Sequence, residues 1–331
     1  ELRPLLASLT GEINGWLRED DRLIGELTVP DEGDDVVLAL AAQSWRAAGL
    51  VRRSDTPLSD AMSLWQASTQ ENLQLRCSPE ATTADISNLL DSWLEHPMPE
   101  VSEPGGDRAR SVRLPVPLRQ AIVPLLEYGF TARTVTLARR LNTPPPVSPS
   151  PALIRPARED DGERMRELMR ELMATEVSFG SGYQRAPEVS DHHVEEALRL
   201  HEGWAVVAEI DGLVVGWASM APPEFSGWAA PSVRPRPAAY FGNAVVDPAV
   251  RSGGIGRALA STLHNHAHSH GVDTIILDAA SNNTWSVPFW HRLGYRPLWT
   301  TSRRRYPTSD KRDRTAPRSP DRFAVTRPVR T

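Results

Sequence analysis

Between Val245 and Ala260 the chain carries residue types that can hold an anion by its main chain. Val245 and Val246 end an apolar run, and Asp247 and Pro248 break it. Arg251, Ser252, Gly253, Gly254, Ile255 and Gly256 form a glycine-bearing turn, after which Arg257, Ala258, Leu259 and Ala260 open a helix of good formers. The first N–H groups of a helix have no intrahelical partner and sit at the positive end of its dipole. Glycines let the backbone approach a ligand closely. The segment therefore predicts a phosphate or pyrophosphate site built from main-chain donors, with Arg251 and Arg257 adding charge. It has neither the Gly-Lys-Ser/Thr ending of a P-loop nor the Gly-x-Gly-x-x-Gly spacing of a dinucleotide loop.

What the turn resembles is the acetyl-CoA loop of the GCN5-related N-acetyltransferases, Arg/Gln-x-x-Gly-x-Gly/Ala, which reads here from Arg251 to Gly256 behind a Val246-Asp247-Pro248 lead-in. The family's second mark, Asn-x-x-Ala-x-x-x-Tyr-x-x-x-Gly-Phe, is met by Asn283, Ser286 for the Ala, Trp290 for the Tyr, and Gly294-Tyr295. The resemblance covers roughly residues 152 to 300. It implies an α/β (α+β) fold with a mixed, mostly antiparallel sheet flanked by helices. It also implies acetyl-CoA as co-substrate, no metal, and direct attack of an amine on the thioester. By the same resemblance the backbone of Ala244, Val245 and Val246 holds pantetheine and the thioester carbonyl, and the amides from Gly253 to Ala258 hold the pyrophosphate. Asn283 and Ser286 line the pantetheine arm, with Trp290 against the cofactor.

The acid and the base are less plainly written. The family's acid is the Tyr whose place Trp290 takes, and an indole cannot give up its proton at useful pH. Trp290 packs only, or Tyr295 or His291 acts instead, or the thiolate leaves without a protein acid. In several relatives the base stands four or six residues ahead of the position of Val246, at Gly242 and Tyr240 here; period-two alternation puts both on the face of Val246. Tyr240 is the first candidate, as base through water or as acid, against a plain strand aromatic. Glu224, on a loop, is a second candidate base, against a solvated loop charge.

The elements that position these residues follow from periodicity. A proline-rich spacer, 142–151, divides the chain into a first half, 1–141, and a second, 152–306; the remainder, 307–331, is rich in Arg and Pro and reads as flexible. In the second half Met165 to Ala174 and Val194 to His201 read as helices, Ala205 to Ile210 and Leu213 to Met220 as a hairpin, and Tyr240 to Val246 as the strand ahead of the loop. The first half carries a faint repeat of the second. Val123 to Phe130 and Val287 to Tyr295 both read as helix and Gly-aromatic corner. Pro79 can be laid on Pro248, which sets Asp85 on Gly254 and a carboxylate where a pyrophosphate would lie. The first half is therefore expected to be a degenerate copy without an acetyl-CoA loop.

Composition excludes several classes. There is no run of about 20 apolar residues, as a membrane span needs. A net charge of −5 argues against nucleic acid as main partner, and the single cysteine, Cys77, fits a reducing cytosol. His264, His266, His268 and His270 alternate, but no acid or cysteine joins them at metal spacing, so they read as a solvated helix end. Trp228, Arg234 and Arg236 lie on a long loop that either meets substrate or merely moves. The reading is an acetyl-CoA-dependent N-acetyltransferase of a small-molecule amine, cytoplasmic, monomeric or weakly dimeric. The alternative is a non-catalytic acyl-CoA binding or sensing protein.

Overall fold

The computed structural model describes residues 2–29, 38–144, 146 and 148–307. The expected flexible end, 307–331, lies outside these residues except for Pro307. The first half runs α1 (Leu2–Asp20), β1 (Leu38–Ala41), β2 (Ala47–Asp55), β3 (Thr69–Cys77), α2 (Thr83–Leu94), β4 (Arg108–Pro115), α3 (Ile122–Glu127) and β5 (Thr131–Arg140). The second runs β6 (Leu153–Pro156), α4 (Gly162–Ser178), α5 (Pro187–Arg199), β7 (Ala205–Ile210), β8 (Leu213–Ala221), β9 (Ala238–Val246), α6 (Ile255–Ser269), β10 (Thr274–Ala280), α7 (Ser286–Arg292) and β11 (Arg296–Tyr306). The second half follows the expected element order, and its hairpin turns at Asp211 and Gly212, both with positive φ.

All eleven strands join one sheet, in the order β1-β2-β3-β4-β11-β5-β10-β9-β8-β7-β6. The order shows an exchange that periodicity does not reveal. The last strand of the first half, β5, pairs antiparallel with β10 of the second, from Thr274↔Arg140 to Ala280↔Thr134. The last strand of the second half, β11, lies between β4 and β5 and pairs antiparallel with both. Each half thus completes the sheet of the other, and no strand edge is left open at the centre.

The helices cover both faces. Alternation along β10 sends Ile275 and Leu277 to a core under α6, with Leu259, Leu263 and Trp290. On the opposite face α4 and α5 bury Met165, Leu168, Met169 and Val194 against Trp217 and Val245. In the first half α2 sets Ile86, Leu89, Leu90 and Trp93 on Leu73, Leu75 and Val112. Each such aliphatic side chain contributes about 1.5–3 kcal/mol by leaving water.

The two halves match in detail and then part. Three pairings repeat, Thr69↔Arg108 to Glu71↔Arg110 in the first half and Ala238↔Thr274 to Tyr240↔Ile276 in the second. Beyond them β3 and β4 continue to Leu73↔Val112, whereas β9 and β10 separate. The strand-to-helix connection also differs, running from Cys77 to the cap Thr82 but from Val246 to the cap Gly254, three residues longer. This corrects the alignment of Asp85 on Gly254: counted from the caps, Thr82 takes the place of Gly254 and Asp85 that of Arg257. The carboxylate still fills the helix start, accepting from the Thr82 amide at 2.7 Å and the Thr82 hydroxyl at 2.8 Å. Hydrogen bonds from Ser44 and Thr82 hold it below the usual carboxylate range.

The exchanged strands pair the two halves along their whole seam, which should make them unfold as one unit. Urea unfolding followed by far-ultraviolet circular dichroism and by tryptophan fluorescence is expected to give one coincident transition; two separated midpoints would show that the halves unfold independently.

Candidate active site

The gap between β9 and β10 is the functional feature of the sheet. Pairing stops at Tyr240↔Ile276, so the β9 edge from Gly242 to Val246 has no neighbour on that side. A cavity opens there, lined by Glu176, Gly242, Asn243, Asp278, Ser286 and Trp290, with Ala244 at its edge and Trp65 reaching in from the first half. Behind the gap Gly254 caps α6 at φ +86, a left-handed conformation that glycine adopts without strain. The first amide to bond back into the helix is that of Ala258, onto the Gly254 carbonyl at 3.0 Å. The amides of Ser252, Gly253, Gly254, Ile255, Gly256 and Arg257 have no partner among the described residues. Six donors at the positive end of a 15-residue helix fit a diphosphate. Arg257 is exposed beside them. Arg251 turns back, its Nε donating to the Val246 carbonyl at 2.9 Å and its guanidinium 3.8 Å from Glu171. Ala244 and Val246 are half-buried on the α6 side, while Val245 and Ile255 are buried in the cores.

Asn283 is only 6% exposed, and its Oδ1 accepts from the amides of Trp285 and Ser286, so it caps α7. It therefore shapes the cavity from behind, whereas Ser286 lines it directly and accepts from Trp290 Nε1 at 3.1 Å.

The structure corrects the placement of Tyr240. The β8 register shifts between Ser219↔Asn243 and Met220↔Phe241, leaving Gly242 unpaired as a bulge. The bulge inverts the alternation: Phe241 and Val246 face the α6 core, and Tyr240 points to the opposite face. There its hydroxyl donates to Asp278 Oδ2 at 3.2 Å, and Thr136 Oγ1 donates to Asp278 Oδ1 at 2.5 Å. Burial and the Asp278 carboxylate push the Tyr240 phenol well above its ordinary range, so it stays protonated and acts as a donor, not a base.

Two other candidates stand elsewhere. Tyr295 is buried in the α6 core, its hydroxyl 2.8 Å from His264 Nε2, and it does not line the cavity; the expectation of an acid there meets a core hydrogen bond. Glu224 is exposed on the short helix Pro223–Phe225 and does not line the cavity either. The histidine series is not a uniformly solvated helix end, because His264 is fully buried and His266 packs on Trp204 at 4.8 Å. The long loop is anchored: Ser226 Oγ accepts from the Tyr240 amide, Trp228 packs at a tilt on Tyr240 with ring centroids 4.5 Å apart, and Arg234 meets Glu26 at 3.2 Å.

Sequence reasoning missed the two carboxylates of the cavity. Glu176 falls on the apolar stripe of α4, after Met169, Leu172 and Met173, where an acid has no structural reason to be. Burial raises its pKa against opposing hydrogen bonds from Ser181 and Asn283. Asp278 interrupts the buried run of β10. Both signals were available. Thr136 and Trp65 come from the other half and carry no local mark.

The profile of the Acetyltransferase (GNAT) family matches residues 165–295, which contain the gap, the loop and the cavity. A glucosamine 6-phosphate N-acetyltransferase of Trypanosoma brucei brucei is 35% identical over 138 residues, 40% of this chain and 88% of the relative. The chain belongs to the GNAT family. The crystal structure of a GCN5-related N-acetyltransferase from Sphaerobacter thermophilus superposes with a TM-score of 0.53 at 14% identity, over 78% of this chain and 76% of that one, which shows the shared fold. The protein is an N-acetyltransferase built from two such folds in tandem, acting on an amine acceptor.

Its buried His264 is expected to make the core of the acetyltransferase acid-sensitive. Burial, with Arg139 alongside, lowers the imidazole from its usual 6.5 to about 3. The unfolded chain then binds one more proton than the folded one between those values, so stability rises with pH there by about 1.4 kcal/mol per unit. Replacing His264 with Gln should remove that slope, read as the difference in urea midpoints between about pH 4.5 and about pH 6.5. An unchanged slope would show that His264 titrates normally.

Proposed function

We propose that the second half transfers the acetyl group of acetyl-CoA to the primary amine of a small molecule by direct attack on the thioester, and that the first half binds no acetyl-CoA. The observation that carries this is the gap between β9 and β10, with unpaired amides at the start of α6 behind it and Asp278 in front. The relative's name specifies a small amine for that protein, which favours a small acceptor here. In the first half the same places are filled from within. Asp85 supplies the anion at the start of α2, and the buried pair Glu71–Arg110, at 2.7 Å, stands where Tyr240 and Ile276 face each other.

The cavity's two carboxylates have environments that separate their roles. Asp278 is exposed and, oriented by Tyr240 and Thr136, takes a proton from the acceptor's ammonium, which frees the nitrogen lone pair for attack. Once that proton has passed to solvent, the neutral amine nitrogen bonds the carbonyl carbon and gives its surplus proton to Asp278, the carbon–sulfur bond breaks, and the thiolate takes up a proton. Glu176, whose burial favours the protonated form, is the donor on the side of Ser286 and Trp290.

Calorimetric titration of acetyl-CoA is expected to give one site per chain. Gly254→Asp, which sets a carboxylate among the amides, should weaken it at least about 100-fold. Two sites would overturn the loss of function in the first half, and no binding would overturn the whole reading. In a panel of amines, the substitution Asp278→Asn should lower kcat by about 10²–10⁴ while acetyl-CoA affinity is kept. If no amine accelerates CoA release by the wild type, the transfer reading fails.

A further inference from the structure

Arg113 is a cation of the first half standing beside the acceptor face of the second. It lies on β4 and is exposed. Its guanidinium stacks on Trp299 at 5.0 Å and donates through Nη2 to Ser232 Oγ at 2.9 Å and Thr136 Oγ1 at 3.4 Å. Thr136 in turn donates to Asp278, which accepts from Tyr240. One hydroxyl therefore separates the Arg113 guanidinium from the carboxylate that faces the amine. Among the described residues Arg113 makes no ion pair within 4.0 Å. Of the other cations, Arg133 lies against Gly180 beside Arg305 and makes no ion pair among the described residues, while three are committed. Arg303 and Arg305 are spent on the carbonyls of Trp65, Gly180, Ser181 and Gly182, and Arg185 pairs with Asp107.

A guanidinium held over an indole and tethered through one nitrogen has its other N–H donors without a partner among the described residues, in a fixed fork, the geometry that takes a carboxylate or phosphate in two bonds. Three elements fix it: Ser232 lies on the loop anchored to the segment after α1, Thr136 on the exchanged strand β5, and Trp299 on the exchanged strand β11. A free cation so positioned, a short distance from the proton acceptor, reads the far end of a molecule whose amine meets Asp278.

We infer that Arg113 is a specificity-determining residue of the acceptor site, and that the acceptor is a small primary amine that also bears an anionic group, a carboxylate or a phosphate. The inference rests on the acetyl transfer proposed above. It gives the first half a function that needs no acetyl-CoA: through Arg113 and Thr136 it selects the substrate for the second.

The test compares matched amines in the full-length enzyme with acetyl-CoA saturating: ethanolamine against phosphoethanolamine, and alaninamide against alanine. The wild type should favour at least one anionic member over its neutral partner by about 10- to 100-fold in kcat/KM, the worth of one charged hydrogen-bonded contact. Which pair shows the preference distinguishes phosphate from carboxylate. In Arg113→Gln that ratio should fall towards one, through KM for the anionic amine, and Arg113→Lys should recover part of it. Equal kcat/KM within both pairs in the wild type overturns the inference while leaving acetyl transfer standing, and it does so even if Arg113→Gln fails to fold. A preference that survives in a folded Arg113→Gln overturns the assignment to Arg113. Absence of turnover with every amine fails the transfer reading instead. Calorimetry of phosphoethanolamine and alanine against the wild type and Arg113→Gln then decides on binding alone, with loss of heat in the variant supporting the inference and equal heat, or none in either, overturning it.

Discussion

The exchange of final strands is the constraint on which the rest of this molecule depends. With β5 beside β10 and β11 beside β4, each half hands its last strand to the other. A half without its partner's strand would expose a ladder of unpaired main-chain donors and acceptors at the middle of the sheet, which is both costly and prone to wrong pairing. The seam also carries function. The floor in front of the gap is made where β5 meets β10 and β4 meets β11, so Thr136 reaches Asp278, and Arg113 reaches Thr136, only because the strands are exchanged. Separate folding units would place those side chains on different surfaces.

Two copies of one fold can then diverge without loss of shape, because the features that make the sheet are not those that bind a ligand. Both halves keep the three pairings at the start of the central parallel pair. What changes is the next few residues. In the first half the ladder runs on, the loop is shorter, and the start of α2 is satisfied by its own capping box of Thr82 and Asp85. The Glu71–Arg110 pair, with Trp93 Nε1 donating to the same carboxylate oxygen at 3.1 Å, fills the interior that a cavity would need. A buried ion pair adds little net stability over apolar side chains of like size. Its value here is that it closes the space with a fully partnered group.

The sequence was legible where one local cause fixes one local result. The glycine turn, the Asp211-Gly212 hairpin and the apolar stripes of the helices each follow from a few neighbouring residues, and the repeat was visible at the two Gly-aromatic corners, where Gly129 and Gly294 both take positive φ. It misled where the result depends on a partner strand. Strict alternation placed Tyr240 on the face of Val246, and a single unpaired residue, Gly242, reversed it. Tyr295 looked available because it follows the Gly corner, yet its hydroxyl has its partner in His264 on a helix far back in the sequence. The exchange itself left no trace in the pattern, because a strand that pairs across the seam has the same alternation as one that pairs within its half. Thr136 and Arg113 were unreadable for that reason.

The substitution of Trp290 for the family's tyrosine becomes intelligible on the same grounds. The indole is buried among Phe241, Phe289 and Tyr295 and donates to Ser286, so the position has been given to packing and to fixing one wall of the cavity. In the transfer proposed above, the proton for the thiolate comes instead from a group facing the other wall. Glu176 is the acid that α4 places there, at a position where the apolar stripe would otherwise continue, and its partners Ser181 and Asn283 hold it from two further elements. Burial raises that carboxyl's pKa and so favours its protonated form over that of a solvated one. Asp278, on the exposed side of the same cavity, keeps two donors and open water as befits a proton acceptor. One cavity with a buried acid on the helix side and an open carboxylate on the sheet side separates giving a proton from taking one by depth alone, and depth is set by where β9 leaves β10.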